Sequence, residues 1–171
     1  GYSEGGRFFA VPLADFLADR LFANYDLVLH YDVGRGLRPY PGGDPRRLSA
    51  MNAFLSRWLG RETDLPRDPT QALRLIDKLL SLLLVGEESR ALKIAVLFDY
   101  ADLICPPGDR EPEHLATLLN WARSPVVRRV NMVFLLLAES LGQLHPALVQ
   151  SPHTEEIHIP MPTLEERLAF L

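Results

Sequence analysis

The sequence predicts an α/β domain, a parallel sheet with helices on both faces. Three observations predict it. Asp26–Tyr31, Leu92–Phe98 and Val133–Leu137 are short, nearly continuous apolar runs, as in strands buried on both sides. Segments with apolar residues every three or four positions alternate with those runs. The length of 171 residues, with 47% hydrophobic and 23% charged side chains, suits a single soluble domain with a sizeable core.

Gly1–Arg7 is a glycine-containing entry segment. Pro12 suits the first turn of a helix, and Leu13, Phe16, Leu17, Leu21 and Phe22 continue it at helical spacing. Asp26–Tyr31 reads as a buried strand. The stretch from Asp32 to Pro45 is rich in glycine and proline and reads as a loop. Arg46–Leu59 is a helix with Leu48, Met51, Phe54, Leu55 and Trp58 on one face. Asp68 caps a third helix with Pro69 at its first position, and that helix ends near Gly86.

Leu92–Phe98 is a strand ending in Asp99-Tyr100. A loop from Cys105 to Pro112 leads into a helix over Glu113–Ala122, and Val133–Leu137 is the most apolar strand. Leu144–Val149 reads as a short helix and Glu156–Ile159 as a last strand closed by Pro160 and Pro162. Thr163 and Glu166 have the spacing of a capping box for a final helix.

Net charge is −4, which argues against a dedicated nucleic-acid binder. The apolar stretch Leu79–Val85, interrupted by Ser81, is far short of the roughly 20 residues that span a bilayer, and no signal-peptide pattern opens the chain. Cys105 stands alone, so no intrachain disulfide forms and a reducing, cytoplasmic setting is expected. A start at Gly1 and an end at Ala169-Phe170-Leu171, within an apolar pattern, are expected of a piece of a longer protein.

In open parallel sheets ligands bind beyond the carboxyl ends of the strands. Asp32, Asp99, Tyr100, Asp102, Glu139 and Ser140 stand there. Ile94-Ala95-Val96-Leu97-Phe98 followed by Asp99 has the form of a Walker B strand, whose acid holds magnesium at a nucleotide phosphate. An acid in that place also serves simply to cap the following turn. The order that follows carries more. It runs from Glu139-Ser140 after the next strand, through Leu144-His145-Pro146-Ala147-Leu148 and Ile157-His158-Ile159-Pro160-Met161-Pro162, to Glu165-Glu166-Arg167-Leu168-Ala169-Phe170-Leu171. This run, over residues 92–171, resembles the second half of AAA+ ATPase domains. Residues 8–60 match by element order alone.

The resemblance implies a P-loop NTPase fold, an AAA+-like three-layer sandwich over residues 1–171. By it, Asp99 matches the magnesium acid and Glu139 or Ser140 falls near the sensor position. Tyr100 stands where the family has its catalytic glutamate, and a phenol with a pKa near 10 is no base at neutral pH. No arginine occupies Gln150–His153, where the family often has an arginine finger; His153 is the nearest cationic candidate.

A Walker A loop needs phosphate-cradling glycines, a lysine and a hydroxyl residue. The chain has sixteen arginines and only two lysines, Lys78 and Lys93, neither after a glycine loop. Gly1, Gly5, Gly6 and Arg7 have the spacing of a degenerate phosphate loop, but Arg7 stands for the lysine and Phe8 for the hydroxyl residue. Gly34-Arg35-Gly36 is a loop, because Pro39 stands where a dinucleotide fingerprint needs glycine. His153 and His158, five apart, fit no metal site, and Cys105 has no evident paired base.

The leading expectation is therefore a degenerate AAA+-like module with a structural or regulatory role beside other AAA+ subunits or a second ATPase domain of the same polypeptide. It would bind ATP with Mg2+ weakly or not at all, and neither nucleic acid nor membrane. In the resembling family the first strand lies between the counterparts of Val133–Leu137 and Glu156–Ile159, so residues before Gly1 are expected to supply it, and the helical lid lies outside as well. The alternatives are an active ATPase whose phosphate loop lies upstream of Gly1, and a protein-interaction domain that binds no nucleotide.

Overall fold

The computed structural model describes residues 2–4, 7–9, 11–60, 64–86, 91–108, 110–125 and 127–160. Two short strands, β1 (Tyr2–Glu4) and β2 (Arg7–Phe9), pair antiparallel in a small sheet of their own. Helix α1 (Leu13–Phe16) runs into a π-helical turn over Leu17–Leu21. The main sheet comprises β3 (Leu27–Asp32), β4 (Gly36–Pro39), β5 (Lys93–Phe98) and β6 (Asn131–Leu136), in the order β4-β3-β5-β6. Around it stand α2 (Arg46–Leu59), α3 (Pro69–Val85), α4 (Ala101–Ile104), α5 (Pro112–Arg123) and α6 (Pro146–Val149).

Strands β3, β5 and β6 are parallel, with Tyr31 opposite Phe98 and Phe98 opposite Leu136. That register, with side chains alternating along each strand, sorts the sheet into two faces. Tyr31, Phe98 and Phe134 share one face. Trp121 of α5 stacks on Phe134 at 4.7 Å, and its indole N–H donates to Asp77 of α3 at 2.8 Å. Val28, His30, Leu97 and Asp99 share the other face, where Tyr40 stacks on His30 and its hydroxyl donates to Asp15 of α1. Helices thus pack on both sides of the sheet, as expected. The core is most complete along β3 and β5, where Leu27, Val28, Ala95, Val96, Leu97 and Phe98 are fully buried.

Local signals explain most elements. Asp68 accepts the N–H of Gln71 at 2.9 Å and caps α3, with Pro69 in its first turn. Arg47 ties α2 to its own preceding loop and to the π-helical turn: its guanidinium donates to the carbonyls of Ala18, Pro41 and Phe22.

Two expectations are corrected. The stretch after Asp32 is not all loop, because Gly36–Pro39 forms β4, antiparallel to β3. Asp32 makes the turn by accepting the N–H groups of Gly34 and Arg35, and Gly36 completes it at φ +80°. The sheet is therefore mixed. Glu156–Ile159, in turn, is not a strand. Ile157 and Ile159 are 79% and 56% exposed, and a strand needs a neighbour for its backbone groups, which β6 does not provide here. The helix expected after Thr163 lies outside the described residues.

Candidate functional site

The carboxyl ends of β3, β5 and β6 converge, and the backbone there is held from both sides. Asp99 donates its N–H to Tyr31 at 2.8 Å, and Leu137 donates to Phe98 at 2.8 Å. Ala101 donates to Leu137 at 2.9 Å, beyond the end of β5. Tyr100, between these rungs, is forced to φ 51°, ψ 48°, the left-handed conformation that costs an L-residue about 1–2 kcal/mol. Its side chain is 56% exposed.

Asp99 lies at the centre of this end. Its Oδ1 accepts the N–H of Tyr100 at 3.1 Å, and its Oδ2 lies 3.4 Å from His30 Nε2. The carboxylate is about one-third exposed. His30 is buried, with Nδ1 3.7 Å from Asp32 Oδ2. Burial lowers its pKa below the usual histidine value, and Arg38 adds to that, while Asp99 and Asp32 pull the other way. Asp32 is also saturated by Arg38, whose Nη1 donates to Oδ2 at 2.9 Å. Although burial opposes it, hydrogen bonds from the Arg35 N–H and the Arg38 guanidinium hold Asp32 below the usual carboxylate range. Tyr40 completes the cluster: burial and Asp15 push its phenol up, so it remains a donor.

The other sequence-nominated residues fall as follows. Ser140 accepts the Gly142 N–H at 3.3 Å and caps a short turn over Leu141–Gln143; Glu139 is exposed just before it. Asp102 lies within α4. Arg7 opens β2 and does not start a helix, whereas Gly1, Gly5 and Gly6 lie outside the described residues. Lys78 is exposed in the body of α3, and Lys93 opens β5 at the end opposite Asp99. His153 accepts from Arg128 at 3.0 Å. Burial pushes the Cys105 thiol up to about 11, which leaves it inert. Among the described residues no group of three or more His, Cys, Asp or Glu side chains could hold a metal ion.

A family described as "AAA+ chaperone, N-terminal Rossmann-like domain" matches residues 3–160. The chain belongs to this family. No curated protein and no solved structure matches it. No helix among the described residues is long and apolar enough to cross a membrane.

In this AAA+ chaperone domain the magnesium-nucleotide fit is one-sided. Asp99 suits a cation held through water, being at the ligand end and partly exposed. For the phosphates, the described residues bring neither a lysine nor a glycine cradle to Asp99.

Sequence reasoning singled out Asp99 and Asp32 but missed His30, Arg38 and Tyr40. His30 left one signal, a lone histidine in an otherwise apolar strand, one strand repeat before Asp32. Arg38 and Tyr40 left none, because their stretch reads as loop.

Proposed function

We propose that this chain is a degenerate AAA+ module with a structural or regulatory role in a larger AAA+ assembly. Its partners are other AAA+ subunits or a second ATPase domain of the same polypeptide. One observation carries the reading: the acid of a Walker B strand is in place, but the next residue is an exposed tyrosine in a left-handed turn. A carboxylate there would serve as general base; a phenol does not. ATP with Mg2+ binds weakly or not at all, and the chain alone hydrolyses none. Steady, magnesium-dependent ATP turnover lost in Asp99→Ala would overturn the reading.

The open side of β6 supports the same assignment. Val133 is 37% exposed, and Phe134, Leu135 and Leu136 are half-buried on a strand with no charge and no proline. A strand from outside the described residues completes the sheet there and gives Glu156–Ile159 its neighbour. That strand could also carry a phosphate loop, which is the active-ATPase reading. Calorimetry with Mg·ATP on a longer natural form separates the two: binding lost in Asp99→Ala favours the active enzyme.

The interaction-domain reading has its own support on α2. Ala50, Ala53, Phe54, Arg57 and Trp58 line a shallow groove with Leu92.

A further inference from the structure

His30 is a costly residue for its place. It is 3% exposed in a strand whose neighbours Leu27, Val28, Leu29 and Tyr31 are buried. Among the described residues its Nδ1 has no hydrogen-bond partner, and leaving a buried polar atom unpaired costs about 1–3 kcal/mol. Its ring is nevertheless fixed. Tyr40 stacks on it with centroids 4.7 Å apart and planes 25° from parallel, and Tyr40 is in turn anchored on Asp15. The fixed ring presents Nε2 to Asp99 Oδ2 at 3.4 Å, while Tyr100 N–H engages Oδ1 at 3.1 Å.

We infer that His30 is a positioning residue for Asp99: its Nε2–H holds Oδ2, so the carboxylate is presented at the ligand end of the sheet in one orientation. The inference rests on the reading of Asp99 as the acid that meets the cation of a magnesium nucleotide. A carboxylate has about four lone-pair sites. Two internal donors therefore orient Asp99 and leave it able to ligate. Partners of this kind tune the ligands they hold, and their loss typically weakens metal binding 10–100-fold.

The test uses the whole chain with 15N-labelled histidine. The expected spectrum shows His30 with the proton on Nε2 and a bare Nδ1. Its N–H should exchange at least about tenfold more slowly than that of exposed His158, as buried, bonded protons do. Asp99→Asn should shift the Nε2 resonance and Asp32→Asn should leave it in place. A proton on Nδ1, or a His30 signal indifferent to Asp99→Asn, would overturn the inference.

Manganese with ATP then probes the consequence. Paramagnetic broadening at His30 should vanish in Asp99→Asn. Binding should weaken about tenfold in His30→Leu and recover in His30→Gln, which keeps a donor. Measurable and equal binding by wild type and His30→Leu would also overturn the inference. If manganese and ATP broaden nothing in any variant, Asp99 meets no nucleotide cation in this chain, and the exchange and shift data still decide whether His30 holds Asp99.

Discussion

The two edges of the main sheet are built in opposite ways. At one edge β4 is short, ends in Pro39 and is covered: the outward N–H of Leu37 donates to Pro66 at 2.9 Å, and Tyr31 reaches Arg67 with its hydroxyl at 2.8 Å. Gly36 is pressed so close to Arg67 that an added Cβ would lie 2.8 Å from its backbone. At the other edge β6 carries only apolar side chains after Asn131, several of them partly exposed, and among the described residues it pairs on one side only. Natural sheets guard their free edges with charge, proline or cover. The first edge follows that rule and the second, among the described residues, breaks it; under the proposed function β4 is a true margin and β6 an internal strand.

Substitutions can break or sharpen this contrast. The largest effect should come from the strand that both edges lean on. Phe98→Ala empties a fully buried site against Trp121 and Tyr31. It should cost about 3–5 kcal/mol in urea unfolding. Next comes the covered edge. Gly36→Val adds a clash with Arg67 to an unfavourable φ, for about 2–4 kcal/mol by the same measurement. Asp68→Ala removes the cap of the helix that leaves this cover, and its thermal unfolding should show a loss of about 1 kcal/mol. The open edge should respond least. Val133→Lys should change unfolding by no more than about 0.5 kcal/mol while suppressing concentration-dependent association, read by light scattering. A loss as large as that of Gly36→Val would mean that β6 is packed as tightly as β4, and the contrast would fall.

The elements legible in the sequence are those with local causes. Arg46–Leu59 is helical over the expected range, because its apolar stripe lies within one segment and Gly60 stops it. The Asp68 cap, Pro69 and the β5 run ending at Asp99 are likewise written in adjacent residues. The candidate site was half legible: Asp99 and Asp32 follow strands that periodicity reveals. Gly36–Pro39 became a strand because β3 offers it a partner, and Glu156–Ile159 has none among the described residues.

Local patterning alone fixed the α/β class, the helix starts at Arg46 and Pro69 and the acid at the end of β5, since period, caps and strand ends depend on near neighbours in the chain. Only the tertiary structure decided which strands pair, which edge is covered and that His30 lies between Asp32 and Asp99. His30 and Asp99 are 69 residues apart in number, and nothing local joins them; parallel pairing of β3 with β5 does. Cross-strand register is a long-range property, settled by where whole strands bury their faces.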